Sequence, residues 1–139
     1  MGTQHPRAKD WLRLAQMTRE DAELLRRDGR ARSSASRFYY ACYQAAHAIM
    51  LCTPAQADLP AQGNWDHRAT INGVVAVLRR YASVSQTSAQ TLRVRLREVY
   101  MARVQSDYGP EGTVSVEQIE DCKATAVALV HYAGRMVAS

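Results

Sequence analysis

The stretch Thr91–Gly109, TLRVRLREVYMARVQSDYG, decides the fold. Leu92, Leu96 and Val99 recur at steps of four and three, which marks one stripe of an α-helix. Four residues further on, the stripe reaches Arg103, and one turn later comes Asp107, then Tyr108 and a Gly-Pro stop. An arginine on an apolar stripe is costly to bury unless something pairs with it. This helix therefore packs along most of its length and presents polar chemistry at its end.

Working outward, the same periodicity predicts four more helices. Trp11, Leu14, Ala15, Ala22 and Leu25 define a first helix from about Ala8 to Asp28, with Gly29 as its C-terminal stop. Its outer face carries Arg19, Glu20, Glu23, Arg26 and Arg27, a solvated mixed-charge surface. Phe38, Ala41, Cys42, Ala45, Ile49 and Cys52 give a core face to a second helix from about Ala31 to Cys52, beside a stripe of Tyr40, Tyr43 and His47. Thr53–Asp66, with Pro54, Pro60 and Gly63, reads as the longest loop. A shorter helix runs from about His67 to Tyr81 on Ile71, Val74, Val75 and Leu78, and Ser85 or Thr87 supplies a cap for the helix that follows. After the turn GPEGT, Ser115 and Gln118 form a capping box ahead of Ile119, Cys122, Ala126, Leu129, Val130, Ala133 and Val137. Nothing alternates with period two for long enough to make a strand. The expected fold is all-α, an antiparallel four-to-five-helix bundle built as one domain over residues 1–139.

Composition narrows the function classes. With 139 residues, 47% apolar and 22% charged, the chain is of ordinary globular type and long enough for one core. The net charge of +5 is carried by sixteen arginines against two lysines, Lys9 and Lys123. Arginine suits phosphate and carboxylate, although a GC-rich coding bias gives the same excess. Cys42, Cys52 and Cys122 have neither zinc-site nor disulfide spacing, and no metal or cofactor is implied. The start MGTQHPRAKD has no apolar signal segment, and no apolar run approaches a membrane span, so a reduced, cytoplasmic protein is expected.

Several residues qualify for chemistry, each with a structural alternative. Arg103 either holds a phosphate or forms a structural pair with Asp107. His47 reads as a hydrogen-bonded packing residue, and His67 as a helix-start histidine on the surface or beside a ligand. Arg37 with Tyr40 suits a nucleotide or phosphate, or else a bridge to an acid on the first helix. Arg93, Arg95 and Arg97 alternate around their helix. With Arg79 and Arg80 they leave residues 79–106 with only Glu98 as counter-charge, a footprint for RNA or an acidic protein.

Ser34–Met50, SASRFYYACYQAAHAIM, resembles the signature of small prokaryotic HEPN-domain proteins, and Arg103–Gly109, RVQSDYG, is similar to an Arg-x-x-x-Asp-Tyr-Gly ending in the same group. His67 corresponds to a His-initiated segment in these proteins. The resemblance spans the whole chain in helix order. It implies a homodimer whose arginine motifs face a cleft, with Arg103, Asp107 and Tyr108 as the catalytic set. Arg37, Tyr40, His67 and Arg97 would then contact RNA or phosphate. It further implies a toxin–antitoxin or defence module, a nucleotidyltransferase antitoxin as partner, and metal-independent endoribonuclease activity from an Arg-x(4–6)-His motif. Here Tyr108 stands where that motif has histidine. The alternative expectation is a non-catalytic nucleotide- or partner-binding helical dimerisation module.

Overall fold

The computed structural model describes residues 4–108 and 113–139, and among these the chain is a bundle of α-helices with no strand. In order they are α1 (Ala8–Arg27), α2 (Ala31–Leu51), a 3-10 turn (Pro54–Asp58), α3 (His67–Tyr81), α4 (Gln86–Tyr108) and α5 (Val116–Ala138). Of the expected GPEGT turn, Gly109–Gly112 lie outside the described residues, and with them the glycine of the Asp-Tyr-Gly ending.

Local chemistry sets the helix ends. Gly29 adopts a left-handed φ of 75°. Its N–H donates to the Arg26 carbonyl at 3.1 Å, and the Arg30 N–H reaches back to Leu25 at 2.9 Å, a Schellman stop. The Asp66 carboxylate accepts from the Ala69 N–H at 2.8 Å and starts α3. Ser85 Oγ accepts from the Ser88 N–H at 3.1 Å, so α4 begins earlier than its apolar stripe. The Ser115–Gln118 capping box is present in full.

Helix α2 is the centre of the bundle and packs on α1, α3, α4 and α5. Its buried alanines, Ala35, Ala41, Ala45, Ala46 and Ala48, remove the bulk that would hold neighbours apart. Phe38, Cys42, Ile49, Val74, Leu78, Leu96, Val99, Cys122 and Leu129 fill the core around it. Both α1 and α4 pack on the α2–α5 pair, and they are not packed on each other.

Two expectations are corrected by this packing. Leu14 fits the α1 spacing but is exposed, because α1 turns Ala8, Ala15, Thr18 and Ala22 inward instead. The Tyr40–Tyr43–His47 stripe packs against neighbouring elements, and His47 is fully buried, in keeping with its reading as a packing residue. Glu23 is not part of a solvated surface: it accepts from Arg26 at 2.7 and 2.8 Å, Arg27 at 3.1 Å and Lys123 at 3.2 Å. Those contacts tie α1 to α5, and Arg26 holds the Glu23 carboxyl down at about 2. Among the described residues, no helix is long and apolar enough to cross a membrane.

Candidate functional site

Helix α4 enters the bundle with Leu96, Val99 and Ala102 buried against its neighbours, and this fixes the direction of Arg103 one position further on. A second arginine anchors the helix end. Arg32, from the first turn of α2, donates from Nε to the Ser106 carbonyl at 2.9 Å, placing a cation on one of the last open carbonyls of α4. Arg103 then points back towards α2.

The guanidinium of Arg103 is caged. Nη2 donates to the Tyr40 hydroxyl at 3.0 Å, and Nε lies 2.9 Å from Asp107 Oδ2. This second contact is an ion pair rather than an aligned hydrogen bond, because the Nε–H does not aim at the carboxylate oxygen. The rings of Tyr39, Tyr40 and Tyr108 sit 5.7, 5.5 and 5.5 Å from its central carbon, within cation–π range. The side chain is 12% exposed. Burial works against its charge, but Tyr40, Tyr108 and Asp107 together outweigh burial and raise its pKa above the ordinary arginine value. Tyr108, at 69% exposure, offers its ring to solvent.

His67 joins this cluster from a different helix. Its Nδ1 meets the Tyr39 hydroxyl, and its ring packs against Tyr39, Tyr43 and Tyr100. Burial lowers the His67 pKa, the Arg103 charge lowers it further, and Asp66 opposes both. The imidazole is therefore neutral near pH 7. Tyr39 is buried and its hydroxyl has no other acceptor among the described residues, so its O–H donates to Nδ1. The His67 proton then sits on Nε2, making that nitrogen a donor and not a base. Burial also pushes the Tyr39 phenol up, against the pull of Arg103, so its proton stays in place.

His47 takes a separate, structural place. The Trp65 N–H donates to its Nε2 at 2.9 Å, which leaves Nδ1–H to donate to the Tyr43 carbonyl at 2.9 Å. Its ring stacks on Trp11 at 4.5 Å. The Tyr43 hydroxyl in turn donates to the Trp65 carbonyl and accepts from Asn64 at 2.9 Å. These contacts fasten the long loop onto α2.

The other expected residues divide. Arg37 is exposed one turn before Tyr40 and bridges to no acid among the described residues. Arg97 is exposed on the outer side of α4, away from Arg103, where it lines a groove of about 380 Å³ with Val94, Met101 and Cys122. Arg93 donates to Asn72 at 3.2 Å, and Arg95 lies 3.5 Å from Glu98 and 3.4 Å from Asp121. Asp121 of α5 thus supplies a counter-charge beyond Glu98, and the three arginines form no common groove. Tyr39, Tyr100 and Arg32 were not singled out by sequence reasoning. The Phe38-Tyr39-Tyr40 run and a tyrosine three residues before Arg103 were the available signals for the first two. Among the described residues, no group of His, Cys, Asp or Glu side chains is placed to hold a metal ion.

Fold and site together define an all-helical domain organised around a tyrosine-caged arginine. No family model matches the chain, and no curated protein is similar to it at a significant level.

Proposed function

We propose that the chain is a HEPN-type RNA-binding module that pairs as a homodimer and holds the RNA backbone in a cleft built around Arg103. The observation that carries this reading is convergence: Tyr39 and Tyr40 of α2 and Asp107 and Tyr108 of α4 gather on one guanidinium whose direction they fix, and His67 of α3 joins the cluster through Tyr39. A caged arginine loses little side-chain entropy when it takes a phosphate on its remaining N–H groups. The His67 Nε2–H adds a neutral donor, the exposed Tyr108 ring gives a base a surface to stack on, and Arg37 adds an open charge one turn from Tyr40.

Binding is favoured over cutting. Metal-independent cleavage needs a group to take the ribose 2′-OH proton, and His67 has its free nitrogen already protonated while Tyr108 is a phenol. The three free, buried cysteines fit a reducing compartment such as the cytoplasm. In a toxin–antitoxin or defence setting, the acidic or nucleotidyltransferase partner would meet the same basic end of α4.

The test is fluorescence anisotropy with a labelled single-stranded RNA in EDTA, followed by a gel of the same samples. We expect intact RNA, and affinity lowered about tenfold by each of Arg37→Glu and Tyr108→Ala, exposed positions that leave the fold alone. Arg103→Lys, which keeps charge but loses the fork, should weaken binding similarly. Absence of binding, or affinity unchanged in all three variants, would overturn the reading. Arg103-dependent cleavage would return the nuclease alternative.

A further inference from the structure

Two helix faces carry exposed apolar side chains that no described element of the chain covers. On α1 the stripe is Leu14, Met17 and Leu24, with Asp21 set between the last two. On α4 it is Val94 and Met101, with Arg97 between them, continuing to the half-buried Val104. Exposed apolar residues in a continuous helical stripe mark a contact surface more often than scattered single ones do. Asp21 and Arg97 are both exposed and form no ion pair among the described residues.

The two stripes match in register. Read backwards, α1 gives Leu24, Asp21, Met17, Leu14, at steps of three, four, three; α4 read forwards gives Val94, Arg97, Met101, Val104, at the same steps. Laid antiparallel, Leu24 faces Val94, Asp21 faces Arg97, Met17 faces Met101 and Leu14 faces Val104. Every layer is then apolar on apolar, except the one that sets a carboxylate against a guanidinium. A three-four spacing on both helices is also the spacing of an antiparallel coiled-coil seam.

We propose that α1 of one copy docks antiparallel on α4 of a second copy, with Asp21 and Arg97 fixing the register. Because α1 and α4 are different surfaces that are not packed on each other, the contact joins unlike faces and is head-to-tail. Each docked pair keeps one free stripe of each kind, α4 on one copy and α1 on the other, so association continues into a ring or an open array instead of stopping at two. The seam is on the side of α4 away from Arg103 and does not depend on the RNA reading.

Sedimentation of the purified chain over a wide concentration range tests this. We expect wild-type average mass to climb with concentration beyond that of a dimer. Asp21→Arg and Arg97→Asp should each flatten the climb, weakening association about tenfold with the helical circular dichroism unchanged. An equimolar mixture of the two variants should restore it. In that mixture the introduced arginine of one protein meets the introduced aspartate of the other, and the native Asp21 meets the native Arg97. A mixture that stays flat, or a wild-type mass that never rises past two copies, would overturn the proposal and leave the two stripes to a different protein.

Discussion

Replacing His47 with leucine separates the two contributions this buried imidazole makes to stability. Its Nε2 is the acceptor for the Trp65 N–H, so His47→Leu leaves that amide without a partner in a buried site, a cost of about 1–3 kcal/mol. Loss of the ring stack on Trp11 adds about 0.5–1 kcal/mol, for a total of about 1.5–4 kcal/mol at pH 7.5. The pH dependence has the opposite character. Burial lowers the His47 pKa, against the Tyr43 carbonyl, so the folded form keeps it neutral while the unfolded chain protonates at its ordinary value of 6.5. The stabilisation is therefore present above pH 6.5 and is lost as pH falls below it, because the unfolded state binds the extra proton. Between pH 7.5 and 5.5 the loss reaches up to about 1.4 kcal/mol for a site that stays neutral throughout. Urea denaturation at both values measures it. Wild type should lose stability on acidification, and His47→Leu should start lower and lose less, the remainder coming from His67, which shifts in the same direction. A variant as stable as wild type at pH 7.5, or one with the full wild-type pH slope, would refute the assignment of His47 as the neutral clamp on Trp65.

Three other outcomes follow from the same geometry. The Glu23 carboxyl, held at about 2 by Arg26, contributes stability that is present above 4.5 and lost as pH falls towards 2. Glu23→Gln should cost about 1–2 kcal/mol at pH 7 after allowance for its partly exposed partners, and should flatten the acid limb of a thermal-melt series. Gly29→Ala should lower stability by about 1 kcal/mol in urea, since no neighbour is near and the positive φ alone is at fault. Burial raises the thiol pKa of Cys42 and brings Cys122 up to about 12, so both should resist iodoacetamide in the native protein and react once it is unfolded.

The helices were legible because their signals are local. Gly29, Ser85 and the Ser115–Gln118 box each act within a few residues, and the structure places helix ends within a residue or two of where those signals fall. At α4 the apolar stripe begins only at Leu92, and of the two caps the sequence offers it is Ser85 that sets the start. The Arg103–Asp107 pair was legible for the same reason, being one turn apart on one helix. The rest of the site was not. Tyr39 meets His67 across 28 residues, and Arg32 meets Ser106 across 74, distances over which periodicity carries no information. Glu23 misled because charge on a helix surface looks the same whether water or Lys123 of α5 covers it.

The salt dependence of RNA affinity tests the caged arginine as a phosphate ligand most directly. Binding of a short single-stranded RNA is followed across a series of salt concentrations for wild type and Arg103→Gln. Removing one arginine–phosphate pairing should lower the slope of log affinity against log salt by about 0.7. We expect a decrease of that size for each protomer engaged, with the variant still folded. An unchanged slope would mean that Arg103 only braces α4 through Tyr40 and Asp107, and would contradict the proposed function.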